Sequence, residues 1–125
     1  MIRGVRGATT VNENNKEEII EATESLLRQI IKENSIDPDL TASVIISVTE
    51  DITAVFPAQA LRLIDGWKYV PVMCTREIPV EGSLQKCIRV MMHVNTEIPQ
   101  KEIRHIYLGE AVKLRPDLNM ADQSK

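Results

Sequence analysis

Apolar and polar residues change their spacing several times along this chain, and each change predicts an element. Residues 16–34 carry Ile19, Ile20, Thr23, Leu26, Leu27, Ile30 and Ile31 at helical spacing, with Glu, Lys and Arg between them. That is an amphipathic helix whose stripe packs on a sheet. Asn14 or Asn15 can cap its start, and Glu17 and Glu18 suit the positive end of its dipole. Residues 2–11 and 69–77 read as strands, the second demoted towards an edge in its first half by Pro71. Residues 42–49 have a near-continuous apolar centre, which predicts a strand buried on both faces. Residues 57–64 open on proline and stop near Gly66, as a short helix does, and residues 37–40 predict a single turn. Residues 103–108 fit a strand or a turn of helix, residues 109–114 a short helix, and the polar end from 118 to 125 is expected to fray. The elements predict an α+β single domain, a mixed sheet with one long helix and short helices packed on it.

The strand at residues 87–94 stands out. Ile88, Val90, Met92 and Val94 line one face as core, and Cys87, Arg89, Met91 and His93 line the other. A guanidinium keeps its proton, so Arg89 needs an anionic neighbour if it is covered. A structural carboxylate such as Glu77 is one answer, and an anionic ligand is the other. Residues 69–77 and 87–94 are separated by a Pro/Gly loop and are expected to pair antiparallel. In the first strand Arg6 shares a face with the small residues Gly4, Ala8 and Thr10. A long cation among small neighbours leaves a recess, although an edge strand with solvated arginines fits the same pattern.

Composition narrows the function. The 125 residues bound one domain, and a net charge of -3 with four aromatic residues offers neither a basic footprint nor a stacking platform for nucleic acid. Cys74 and Cys87 form no CxxC pair, and His93 and His105 give a metal little to bind. No metal site and no cofactor are expected. The absence of a signal peptide or a membrane-spanning run points to the cytoplasm, with reduced thiols. No Gly-rich phosphate loop, GxSxG or HExxH is present. What remains is a set of arginines (Arg6, Arg62, Arg89 and Arg115) with one carboxylate, Glu77, and one phenol, Tyr107. Such a set suits a small polyanion, because guanidinium forks match carboxylates two bonds at a time.

Six segments carry a resemblance: residues 3–10 (RGVRGATT), 54–58 (AVFPA), 66–72 (GWKYVPV), 86–92 (KCIRVMM), 103–108 (IRHIYL) and 114–118 (LRPDL). In this order they resemble the monofunctional chorismate mutases of the trimeric, pseudo-α/β-barrel class. The resemblance implies a mutase-like domain over residues 1–118, a flexible C-terminal tail over 119–125, and a homotrimer with each pocket between two subunits. It implies that Arg89 reaches the ether oxygen of chorismate and that Glu77 accepts from the ring hydroxyl, with Cys74 beside it. Arg6 and Tyr107 would bind carboxylate, Phe56 and Ala58 would form an apolar wall, and Arg62, Leu114 and Arg115 would cover the mouth. Met73 stands where a small polar pocket residue is expected, and Arg76 beside Glu77 is a second departure.

The implied reaction, chorismate to prephenate in Phe and Tyr biosynthesis, is unimolecular. It needs a held conformer and stabilised charge rather than a nucleophile, a metal or a base. Two other readings fit less of the set. A carboxylate-binding or imine-hydrolysing trimer needs Arg89 but not Arg6, Glu77 and Tyr107 together, and a scaffolding trimer would keep its arginines paired internally.

Overall fold

A computed structural model describes residues 1–114, so Arg115 and the expected C-terminal tail lie outside the described residues. Five strands form one sheet: β1 (Ile2–Thr10), β2 (Thr41–Val48), β3 (Val72–Arg76), β4 (Cys87–Asn95) and β5 (Ile106–Tyr107). Their spatial order is β3-β2-β4-β1-β5. β4 runs antiparallel to both β1 and β2, while β3 is parallel to β2 and β5 is parallel to β1. The long helix α1 (Lys16–Glu33) and a short 3-10 helix, Pro57–Leu63, cover one face.

The helix forms where its stripe predicts. Asn15 caps it, its side-chain oxygen accepting from the Glu18 N–H at 3.0 Å. Asn14 does something else: its Oδ1 accepts from Thr53 and Ala54 N–H, tying the loop ahead of Phe56 to the start of the helix. Ile19, Leu26, Leu27 and Ile30 of α1 are fully buried against Val5, Val44, Ile46, Ile88, Val90 and Met92 of the sheet. Period 2 in the strands and period 3.6 in the helix therefore meet in one core. No described helix is long and apolar enough to cross a membrane.

Two expectations are corrected. β3 and β4 are not partners: β2 lies between them. The segment from β2 through the helix Pro57–Leu63 is a crossover, and a crossover returns the chain parallel to the strand it left. β3 therefore takes one edge of β2, and β4 takes the other. Nor is β2 buried on both faces. Val44, Ile46 and Val48 are buried, but Ile45 on the opposite face is exposed, because α1 and its neighbours cover only one side. An apolar centre is the pattern of two covered faces, but among the described residues only one face of β2 is covered. Residues 103–108 follow the 3-10 turn Gln100–Glu102 and hold an extended stretch with only two residues of strand, Ile106–Tyr107.

Candidate active site

The register of the sheet builds the site. Residues paired across strands project to the same face, so the open side carries two rows. One runs Thr75, Ser47, Arg89, Ala8, Tyr107, and the next runs Met73, Ile45, Met91, Arg6. Arg89 is flanked by Ser47 on one side and Ala8 on the other, both short, so its guanidinium stands over neighbours that do not fill its space. The recess expected from small residues beside Arg6 is there: a cavity of about 360 Å³ is lined by Arg6, Ala8, Ser47, Glu77, Arg89, Tyr107 and Leu114, among others. β1 is an interior strand rather than an edge, with β4 on one side and β5 on the other.

Of the two answers for Arg89, the structural carboxylate is present. Glu77 is its partner, with Nε to Oε1 at 3.7 Å. That is an ion pair too long to be a hydrogen bond. The Arg89 side chain is 48% exposed, so its fork keeps room for an outside anion. Glu77 reaches it because the chain continues to pair just beyond β3, the Glu77 N–H donating to the Val48 carbonyl at 2.8 Å. Arg76 turns elsewhere, donating to the Thr49 carbonyl at 3.3 Å. Two cations and one carboxylate give the cavity an excess of positive charge.

The start of β4 is braced. Asp51 accepts the Lys86 N–H on both carboxylate oxygens, at 3.1 and 3.0 Å, and takes a bond from Thr49 Oγ1 at 2.6 Å. Thr49 Oγ1 in turn accepts the Cys87 N–H at 2.9 Å. Lys86 is thereby held at φ 47, a left-handed conformation rare outside glycine, three residues ahead of Arg89. Nothing local in the sequence announces this brace, because Asp51 and Lys86 lie 35 residues apart.

Cys87 lies beside Arg89 in a small buried cluster with Ala8, Tyr107 and Ala111. Burial pushes its thiol pKa up, and the charge and hydrogen bond of Arg89 oppose the shift without cancelling it. A buried, protonated thiol is a poor nucleophile. Cys87 is therefore expected to resist iodoacetamide at neutral pH in the folded protein and to react only after denaturation, as peptide mass mapping would show.

The remaining expected site residues lie apart. Cys74 is on the core-facing side of β3, partly buried and packed against the main core, opposite the face that carries Arg89. It opens instead into a groove of about 720 Å³ with Val55, Phe56, Pro57, Thr75 and Arg76. Phe56 is 70% exposed there, Ala58 packs partly on the core, and Arg62 is exposed on its 3-10 helix. Met73 is on the open face and 69% exposed. Arg6, Glu77, Arg89, Tyr107 and Leu114 are thus brought together in one chain, while Phe56, Cys74 and Arg62 are not brought to them.

An open sheet face bearing two arginines and a carboxylate, backed by a single helical layer, makes a small α+β domain whose cationic recess suits an anion. The family model for chorismate mutase type I matches residues 2–118, and the chain belongs to that family. It is 51% identical to chorismate mutase AroH of Bacillus subtilis (strain 168), over all of this chain and 98% of the relative. It is 50% identical to chorismate mutase AroH of Thermus thermophilus, over 97% of this chain and 99% of that one. Among solved structures, a chorismate mutase from Clostridium thermocellum superposes with a TM-score of 0.84 at 48% identity, over 87% of this chain and 96% of the other.

Proposed function

We propose that this chain is a chorismate mutase that converts chorismate to prephenate in a pocket built by two copies, within a homotrimer. The observation that carries the reading is the division of the site. One face of the sheet presents Arg6, Arg89, Glu77 and Tyr107, and a separate groove presents Phe56 and Cys74, with Arg62 exposed on the 3-10 helix Pro57–Leu63. The open face also leaves Ile45 and Met73 exposed. Apolar side chains in such a patch favour a covering partner, and a second copy that brings its groove to this face supplies the missing wall.

The chemistry follows from the placement. The substrate is a dianion that must fold into a compact conformer before its C–O bond breaks and its new C–C bond forms. Arg6 and Tyr107 hold carboxylate, and Glu77 accepts from the ring hydroxyl beside the partner copy's thiol at position 74. That fixes the conformer, a positioning effect. Negative charge then grows on the ether oxygen, and Arg89, permanently charged and fixed on β4, meets it. No proton need move and no bond to the protein forms, so this residue set is sufficient. Phe56 and Ala58 provide the apolar wall that strengthens these charges by excluding water, and Arg62, Leu114 and Arg115 close the mouth.

The test is direct. The purified protein is expected to form prephenate from chorismate without added metal or cofactor, and light scattering is expected to give a mass of three chains. Absence of prephenate from folded protein would leave a carboxylate-binding trimer in its place. A fully active monomer would refute the shared pocket and leave the activity standing.

A further inference from the structure

β5 is a parallel strand that stops short. Its two residues pair as Gly7↔Ile106 and Ala8↔Tyr107, and the Leu108 N–H donates to the Ala8 carbonyl at 2.9 Å. Carried one step back, that register would offer the Arg6 N–H the carbonyl of Arg104. That carbonyl is already engaged. Asn34, the C-cap of α1, donates to it through Nδ2 at 2.8 Å, and Asn34 Oδ1 accepts the Arg104 N–H at 2.8 Å. The same Nδ2 is also anchored to the Ile30 carbonyl at 3.0 Å, and the Asn34 residue is buried. The peptide at 104 is thus locked to the helix, and the Arg6 N–H meets His105 Nδ1 instead, at 3.0 Å. An Nδ1 that accepts carries no proton, so the neutral ring has its proton on Nε2.

We propose that His105 is a positioning residue for Arg6, its imidazole standing in for the ladder acceptor that Asn34 has withdrawn. The inference rests on the reading of Arg6 as a cation that holds substrate. The backbone N–H and the side chain of Arg6 leave the same short stretch of strand. Loss of the acceptor lets that stretch tilt, and a small tilt at Cα becomes a larger displacement at the end of a long side chain. The guanidinium then meets the carboxylate in poorer geometry, while Arg89 on β4 stays where it was. The effect therefore falls on substrate holding more than on the chemical step.

The test uses the full-length protein and the variants His105→Leu, His105→Asn and Arg6→Gln. Asparagine presents Oδ1 near the place of Nδ1, whereas leucine fills similar space with no acceptor. His105→Leu is expected to raise KM for chorismate about tenfold, the worth of roughly one hydrogen bond, with kcat changed by less than about twofold. His105→Asn is expected to return KM to within about twofold of native, a rescue that a merely space-filling role would not give. In the unsubstituted protein, nitrogen NMR of the imidazole is expected to show the Nε2–H tautomer with a coupling between Nδ1 and the Arg6 amide nitrogen. Equal KM for the leucine and asparagine variants would overturn the proposal. So would a protonated Nδ1 in the native protein at neutral pH, which decides the matter even if His105→Leu does not fold. A native KM in Arg6→Gln would show instead that Arg6 holds no substrate, and the site reading itself would fall.

Discussion

Arg89→Ala is expected to lower kcat for chorismate by at least ~10²–10³, with circular dichroism and oligomeric mass unchanged. Removing one preorganised donor aimed at a developing oxyanion costs about 2.7–4 kcal/mol in other enzymes, and here a full charge is lost with the donor. The fold should tolerate the change because the Arg89 side chain is half exposed and its ion pair with Glu77 is long, at 3.7 Å. Partly exposed pairs of this kind contribute about 0–1 kcal/mol to stability. Arg89→Lys should also lose most of the rate, because an ammonium cannot present two donors in one plane to an ether oxygen and a carboxylate. Steady-state kinetics separate the outcomes. A fall in kcat supports charge stabilisation in the transition state, whereas a rise in KM alone would reduce Arg89 to an equal binder of both states.

Gly7→Val is expected to destabilise the protein by about 3 kcal/mol or more, visible as a lower midpoint of urea unfolding with an unchanged slope. Gly7 faces the helix between two site residues, Arg6 and Ala8. A Cβ placed there would lie 2.6 Å from Ile30 Cδ1, 3.1 Å from Leu26 Cδ1 and 3.0 Å from the Ile106 carbonyl oxygen. The two side chains belong to fully buried residues, and the oxygen belongs to the two-residue strand β5. Relief therefore requires α1 to lift or β5 to part from β1. The second response would move Tyr107, so activity should fall along with stability. Gly7→Ala adds that Cβ without the two methyl groups of valine and should show the same signs at smaller size.

How far the sequence revealed this molecule depended on how local each signal was. The stripe of α1 was legible because six apolar residues and Thr23 repeat at helical spacing within 19 residues, and the two faces of β4 were legible from alternation alone. Strand order was not. The expected pairing of residues 69–77 with 87–94 followed from their nearness in the chain, but the 3-10 crossover sends β3 alongside β2. The arginines of the site were visible as cations out of place, and the roles proposed for them came from the family resemblance. The braces were invisible: Asp51 to Lys86, Asn34 to Arg104, and Arg6 to His105 each join residues 35 or more positions apart. Polar residues in loops give no period to read, so such pairings leave no trace in a single sequence.

The separation of Arg89 from the groove of Phe56 and Cys74 carries a genetic consequence. If each working pocket takes the arginine face from one chain and the groove from its neighbour, a chain spoiled at Arg89 still owns a sound groove. A chain spoiled at Phe56 still owns a sound arginine face. Two inactive alleles expressed together would then restore growth that neither supports alone. With free mixing in equal amounts, about a quarter of the shared pockets would draw both halves from undamaged surfaces. Selection on such a protein acts on neighbouring pairs of chains, and a lesion in one half of the site can be masked by a second, different lesion in the other.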